Sequence, residues 1–162
     1  MHIRSCYIAV VIMVASLAAT LAGCDFGQST KQNESMVRIR KIAVAVQAYR
    51  QAHGRYFPAS EGPVLAVLPD IQRFANEPLV ASDAWGRPIQ YVSSGQHYAV
   101  WSWGRNGQRD VFRGGGAHEG YDVDLVFAED EFWQGHAGVC CYSGTSDPFT
   151  QVAEDIAQGG QK

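Results

Sequence analysis

The sequence predicts a single α+β domain in which one amphipathic helix packs on a small antiparallel sheet. Three observations lead to this fold class. Apolar residues recur at helical spacing from Met36 to Tyr49, two alternating segments flank Ser94-Gly95-Gln96, and "YDVDLVF" (121–127) alternates again. A helix with one apolar stripe must bury that stripe against another element, and the strands that follow it supply the surface.

The first 23 residues have the pattern of a secretory leader. Arg4 precedes a run from Cys6 to Leu21 that is almost wholly apolar, and the small pair Ala22-Gly23 follows. A basic start, an apolar centre and small residues at the end are typical of a signal peptide. The run is somewhat short for a membrane span, which needs about 20 residues. An uncleaved signal anchor is the alternative.

Leu21-Ala22-Gly23-Cys24 resembles the lipobox of bacterial lipoproteins. In that family the cysteine receives a diacylglyceryl group, and the leader is cut just before it. The resemblance implies a signal peptide over 1–23, a covalent lipid on Cys24 and a polar tether over 24–33. It implies an envelope protein that is lipid-anchored to a membrane and faces the periplasm or the outside. Asp25 resembles an inner-membrane retention signal and slightly favours that membrane.

Charge and cysteine usage exclude several classes of protein. The chain has 13 Lys and Arg against 16 Asp and Glu, a net charge of −3, and removal of the leader takes away one Arg and no acid. An acidic domain of this kind is not expected to bind nucleic acid. Of the four cysteines, only the adjacent pair Cys140 and Cys141 remains after Cys6 and Cys24 are set aside. No disulfide framework or zinc motif follows.

The periodic segment predicts a helix over Thr30–His53. Its stripe is formed by Met36, Ile39, Ile42, Ala43, Val46 and either Tyr49 or Arg50. Gly54 suits the position after a helix end, where left-handed backbone is common. Pro58, Gly62, Pro63 and Pro69 then break any long helix, which leaves a loop-like stretch with one short turn over 64–68.

Two strands are predicted over 88–94 and 97–103, with Ala99 and Trp101 on one face and Tyr98 and Val100 on the other. "RNGQ" is a turn signal, and "YDVDLVF" is the third strand. A weak helix is predicted over 150–158. "FAEDEFW" (127–133) is either a docking segment or a solvated turn beside buried rings.

The order of these motifs resembles the globular domain of the major pseudopilin of type II secretion, the G subunit. That family shows a "Y…NGRYPT.EGL" helix exit, a "DPWG.PY.Y" turn, an "SLGADG" loop and a later Asp. The resemblance covers about residues 34–127 and implies a pilin-like fold, with 128–162 as a loop-rich, partly disordered extension. The matching positions are Tyr49, Gly54, Arg55, Tyr56, Pro58, Glu61, Gly62, Asp83, Trp85, Gly86, Pro88, Tyr91, Ser102, Gly104, Asn106, Gly107 and Asp122 or Asp124.

The chain also departs from this family. The short pseudopilin leader and the mature Phe and Glu that follow it are absent, and a lipoprotein leader stands in their place. Ala84 stands where the family usually has Pro. Trp85 is expected to be buried against the helix and to hold the hairpin.

The family's calcium site carries over in part. The resemblance implies ligands from Trp103 (backbone carbonyl), Asn106, Gln108 (backbone carbonyl) and Asp122 or Asp124, and Asp110 compensates for the family Asp that Asn106 replaces. Calcium takes six to eight oxygen ligands. The insertion "DVFRGGGAHEG" (110–120) lengthens the loop between them. The alternative to a calcium site is that Asn106 is only a turn residue and that the aspartates are solvated charges at a strand edge.

The predicted function is that of a non-enzymatic accessory or structural component of type II secretion or a type IV pilus-like machine. Its expected partners are pseudopilins or secretion-platform proteins. A stand-alone envelope lipoprotein that uses the fold as a binding module is the alternative. An enzyme has little support, because His118, Glu119 and His136 are expected to lie in glycine-rich loops without a spaced ligand motif, and no small-molecule substrate is indicated.

Overall fold

A computed structural model describes the backbone of residues 3–110, 116–118, 120–136 and 147–159, and the side chains of residues 27–110, 120–135 and 147–157. Two 3₁₀ turns, Val64–Ala66 and Gln72–Phe74, lie on either side of a short helix over Leu68–Ile71. The elements are α1 (Ile3–His53), β1 (Ala59–Pro63), α2 (Leu68–Ile71), β2 (Gln90–Ser93), β3 (Tyr98–Ser102), β4 (Gly116–His118), β5 (Leu125–Ala128), β6 (Glu131–His136) and α3 (Pro148–Gly159).

The strands form one sheet in the order β1-β2-β3-β5-β6-β4. The first five are antiparallel to their neighbours, and β4 adds a short parallel pairing with β6 at the edge. Tyr98 pairs with Ser93, and Ser102 pairs with Leu125. The α+β prediction is confirmed: an N-terminal helix packs on an antiparallel sheet, as in a pilin-like fold.

Helix α1 buries the predicted stripe on the sheet. Ile39, Ile42, Ala43 and Val46 are fully buried, and Tyr49 is nearly so. They pack in one core with β-strand residues such as Tyr98. Each fully buried Ile or Val side chain contributes about 1.5–3 kcal/mol relative to an exposed one. This packing, rather than helix propensity, fixes the C-terminal half of α1 on the sheet.

The two ends of α1 differ in how well the sequence predicts them. The helix ends at His53 as expected, and Gly54 has φ +76° with its N–H donating to the Arg50 carbonyl oxygen at 2.7 Å. The predicted start at Thr30 is wrong, because the helix begins at Ile3 and residues 25–33 are helical. That polar segment contains no proline and only one glycine, so nothing in it stops a helix.

The sheet is covered on its other face as well. Ala99, Trp101 and Val126 pack with Trp133 and with Val152 of α3 in a second core. Alternation along β3 therefore sends Tyr98 and Val100 to the α1 core and Ala99 and Trp101 to the α3 core, as predicted. The predicted weak helix exists and is slightly longer than 150–158.

Several strands were not predicted. β1 has the sequence "ASEGP" at the sheet edge, and β6 has "EFWQGH". Neither shows the clear apolar alternation that marks a strand. The segment 127–133 contains a turn at Glu129 and Asp130 between buried Phe127, Phe132 and Trp133, as the turn interpretation predicted, and docking by this segment stays a prediction. The third strand begins at Leu125, later than expected.

Several other predictions lie partly or wholly outside this description. Cys140, Cys141 and the tail beyond Gly159 fall outside the described residues, and Cys24 is described only as helical backbone. Among the residues whose side chains the structure describes, no helix is long and apolar enough to cross a membrane.

Candidate functional site

The turn over residues 83–88, called here the Asp83 turn, is built around a buried carboxylate. Asp83 is 1% exposed. Its Oδ1 accepts the backbone N–H groups of Trp85 at 2.9 Å and Arg87 at 2.8 Å. Its Oδ2 accepts the hydroxyl of Ser102 at 2.6 Å. Three donors therefore satisfy the buried charge, and they hold the turn against the end of β3.

Helix α1 holds the same turn from the other side. Arg38 Nη1 donates to the carbonyl oxygens of Ser82 and Asp83, both at 2.8 Å. The Ala84 N–H donates to Ser35 Oγ at 3.0 Å. Helix residues Ser35 and Arg38 were not predicted to take part, because their partners lie more than forty positions away in the chain.

Trp85 contacts the helix but is not a core residue. Its indole Nε1 donates to Gln28 Oε1 at 2.9 Å, so the expected contact with the helix is present. The side chain is only half-buried and packs at the border of the α1 core. The expectation that Trp85 is buried against the helix is therefore met only in part, because the ring packs against the core and bonds to the helix but stays partly exposed.

The loop over residues 102–110, called here the Gly104 loop, begins beside the Asp83 turn. Arg87 Nη1 donates to the Gly104 carbonyl oxygen at 2.7 Å. Gly104 has φ +58°, and a Cβ there would lie 2.5 Å from the carbonyl oxygen of Val123. Glycine alone fits this close approach of two backbones. The turn, the loop and residues 120–124 thus form one connected region.

The structure places the predicted calcium ligands in this region, but several are already occupied. The Trp103 carbonyl oxygen accepts the N–H of Gly107 at 3.1 Å. Asn106 Oδ1 accepts the N–H of Gln108 at 2.8 Å. Both contacts stay within the loop and shape its turn.

The two predicted aspartates lie in different environments. Asp122 is half-exposed and bound by Arg105, whose hydrogen bonds lower the pKa of its carboxyl. Asp124 is 3% exposed, and burial raises its pKa to about 7. Its Oδ2 accepts the N–H of Asp110 at 3.1 Å, whereas its Oδ1 has no partner among the described residues.

These six residues do not fit a calcium shell in this arrangement. Calcium needs six to eight oxygens. Within the described part of the chain, only Asp124 of these six offers a buried carboxylate oxygen without a partner, while Asp122 and Asn106 are engaged. Among the described residues, no three His, Cys, Asp or Glu side chains are grouped so that they could hold a metal ion. Calcium binding stays a prediction that a titration must test.

The remaining motif residues lie around the helix exit and the first strands. Tyr56 is buried, and its hydroxyl accepts a hydrogen bond from Arg50 at 2.8 Å. Tyr91 is also buried, and its hydroxyl donates to the Phe57 carbonyl oxygen at 2.7 Å. Pro58 is exposed before β1, while Gly86 (φ +84°) and the exposed Pro88 lie in the Asp83 turn. These contacts shape the fold.

A groove runs along the outer side of α1. It has a volume of about 330 Å³. Val37 and Val44 are 52% and 53% exposed there. Lys41 pairs with Glu77 across the groove at 2.8 Å, whereas Arg40 has no ion-pair partner among the described residues. The lining residues are Val37, Arg40, Lys41, Val44, Ala75, Asn76, Glu77 and Leu79.

The histidines considered for catalysis lie in strands and not in loops, which corrects the sequence interpretation. His118 ends β4 and His136 ends β6, and the parallel register pairs these two residues. Their backbones are therefore neighbours at the edge of the sheet.

The helix on an antiparallel sheet, with the Asp83 turn linking helix to loop, defines a pilin-like α+β domain. The family described as type II secretion system (T2SS), protein G, matches residues 25–124, more than half of the chain. This chain belongs to that family. Neither a search of curated proteins nor a search of solved structures gave a match.

Proposed function

We propose that this chain is a membrane-anchored accessory or structural component of type II secretion or of a related pilus-like machine. Membership of the protein G family is the observation that carries the proposal. A component of this kind acts by contacts with pseudopilins or with the secretion platform and is associated with the cell envelope.

Lipid anchoring through Cys24 is the second part of the proposal. The family match begins at residue 25, directly after the predicted processing point, which supports a leader that is distinct from the domain. Several acyl chains on one cysteine anchor a protein stably, because each buried CH₂ adds about 0.8 kcal/mol. The helical backbone through 3–53 is equally compatible with an uncleaved anchor.

A non-enzymatic role is the third part. The buried Asp83 has three donors and serves the turn, and the buried tyrosines serve the fold. These groups are engaged structurally, so they are not free to act as an acid or a base. This supports a role in contacts between proteins.

The groove along α1 is the surface at which we expect a pseudopilin to bind. Val37 and Val44 are seven residues apart, which places them two turns apart on one side of the helix. Exposed apolar side chains next to a cation that has no ion-pair partner among the described residues favour an apolar partner segment that carries an acidic residue. Arg40 supplies that cation.

In-cell cross-linking of the intact chain, with peptides identified by mass spectrometry, tests the partner. We expect cross-links from Lys41 or from residues of the Gly104 loop to pseudopilins or to the platform. The double variant Val37→Asp, Val44→Asp should abolish the cross-links from Lys41. Leu65→Asp, at an exposed position outside the groove, should leave these cross-links intact. If only soluble exported proteins or unrelated lipoproteins are captured, the stand-alone binding module is the correct function.

The anchor is tested separately. Mass spectrometry of the membrane-extracted chain should show an N-terminus at Cys24 with a lipid mass. Cys24→Ser should abolish the lipid and its processing, whereas Cys6→Ser, within the leader, should leave both unchanged. A chain that keeps residues 1–23 in the wild type would contradict the lipoprotein hypothesis and support the signal anchor.

A further inference from the structure

The Gly104 loop differs in charge from its family pattern at two positions. Against "SLGADG", this chain has Ser102-Trp103-Gly104-Arg105-Asn106-Gly107. Arg105 adds a positive charge where the pattern has Ala, and Asn106 removes a negative charge where it has Asp. The two changes shift the formal charge of the loop by +2, which is the charge of a calcium ion.

Arg105 makes the contacts that close the loop. Its Nε donates to Asp122 Oδ1 and its Nη2 donates to Asp122 Oδ2, both at 2.7 Å. Its backbone N–H donates to the Tyr121 carbonyl oxygen at 2.8 Å. Two parallel bonds from a planar guanidinium fix both distance and orientation, which a single point contact does not. Residue 105 is thereby tied to the segment 120–124 from backbone and side chain.

Asn106, the other position that differs from the family pattern, stabilises the turn of the loop. Asn106 Oδ1 accepts the Gln108 N–H, so its oxygen stabilises the turn instead of facing a shared centre. Farther along the loop, Arg109 pairs with Glu61 of β1 at 2.7 Å. Protein groups thus supply both the charge neutralisation of Asp122 and the shape of the loop.

We propose that Arg105 closes the Gly104 loop onto residues 120–124 in the place of a calcium ion, so that this domain holds its loop without the metal. Arg105 is a positioning residue in this role. Asp122, which the resemblance offers as a calcium ligand, is its carboxylate partner. The proposal does not depend on which machine or partner the protein serves.

The first test compares thermal unfolding of the purified full chain in EDTA and in millimolar calcium. We expect the wild-type Tm to agree between the two within about 1 °C, because a ligand raises Tm only if it binds the folded state. A wild-type Tm that rises with calcium overturns the proposal. The result does not bear on cross-linking partners, so the proposed function can fail independently.

The second test restores the family pattern. Arg105→Ala with Asn106→Asp frees Asp122 and returns one carboxylate to the loop. We expect this variant to melt lower than wild type in EDTA and to gain about 5–10 °C in saturating calcium. A double variant that does not respond to calcium would show that these two residues do not account for the difference, and would also overturn the proposal.

Limited proteolysis gives a readout that does not require a large change in stability. The Arg105–Asp122 pair is about half exposed, so its removal is expected to open the loop more than to unfold the domain. Arg105→Ala should speed cleavage within 103–110 several-fold, and Arg105→Asp with Asp122→Arg should restore protection. Arg109→Ala removes a similarly exposed ion pair of the same loop and is the matched control. Equal cleavage of the Arg105→Ala and Arg109→Ala variants would contradict a special role for Arg105.

Discussion

Two buried aspartates lie in the same region of this domain, and they have opposite environments. Asp83 is 1% exposed and receives three hydrogen bonds from the Asp83 turn and Ser102. Asp124 is 3% exposed, receives one hydrogen bond among the described residues, from the Asp110 N–H, and has a pKa raised to about 7 by burial. Burial alone thus does not determine whether a carboxylate stabilises a fold. The number of donors aimed at it does.

The largest expected effect is at Asp83. Asp83→Ala would leave two partly buried N–H groups and the buried Ser102 hydroxyl without their acceptor, so we expect a loss of about 3–5 kcal/mol in the free energy of unfolding. Equilibrium urea unfolding of the purified chain measures it. Asp70→Ala, at an exposed ion pair with Arg73, is the control and should cost less than about 0.5 kcal/mol. Equal losses would mean that the Asp83 network does not hold the turn.

Asp124 should make the free energy of unfolding fall as pH rises, whereas an ion-paired carboxyl with a lowered pKa makes it rise. Between about pH 4 and pH 7 the folded chain keeps this proton while the unfolded chain releases it. The free energy of unfolding therefore falls as pH rises through this window, by roughly 2–4 kcal/mol on account of this group. Above it, that stabilisation is lost.

The measurement is urea unfolding in EDTA at pH 4 and pH 8 for the wild type and for Asp124→Asn. We expect the variant to lack this part of the pH dependence and to be the more stable chain at pH 8. The exposed Asp70→Asn variant should keep the wild-type slope. A parallel pH dependence in the wild type and Asp124→Asn would show that Asp124 is not protonated in the folded chain near neutral pH.

Trp85 tests how far the Asp83 turn depends on apolar packing. Because the ring is half-buried and makes one hydrogen bond to Gln28, we expect Trp85→Ala to cost about 1.5–3 kcal/mol, less than a fully buried ring would. Trp85→Phe should keep most of the packing and lose the hydrogen bond alone. A loss above about 4 kcal/mol for Trp85→Ala would place the ring in the core after all.

The smallest effect is expected at Ser35, which links α1 to the same turn. Ser35→Ala removes the acceptor of the Ala84 N–H and should cost about 1 kcal/mol. The exposed Asn33→Ala on the same helix is the control and should be neutral or slightly stabilising, since Ala favours helices. If the two variants unfold alike, the helix holds the turn through Arg38 and Trp85 only.

Local signals in the sequence predicted much of the fold. The period of the stripe placed the buried face of α1, and Gly54 marked its end. Alternation along β3 separated the two cores correctly. These features could be predicted because helical and strand periods are properties of neighbouring residues. The start of α1 was missed since polar composition does not by itself end a helix.

The candidate site was less predictable than the fold. Motif positions identified Asp83, Ser102 and Gly104, but the sequence did not indicate that Arg105 pairs with Asp122 seventeen residues later. Nor did it distinguish the half-exposed Asp122 from the buried Asp124, two positions apart. These differences depend on which groups the folded chain brings next to each carboxylate, and the spacing of residues along the sequence does not reveal those groups.

The sequence by itself determined the α+β class, the buried stripe of α1, the β2–β3 hairpin and the resemblance that family membership confirmed. Only the tertiary structure decided which carboxylates receive several hydrogen bonds, which one has an oxygen without a partner among the described residues, and how Arg105 closes the Gly104 loop. The physical reason is how far apart along the chain the groups lie that set each property. Backbone periodicity is set by residues within one or two turns, whereas desolvation and hydrogen bonding of a side chain are set by groups that the fold brings together from distant parts of the chain.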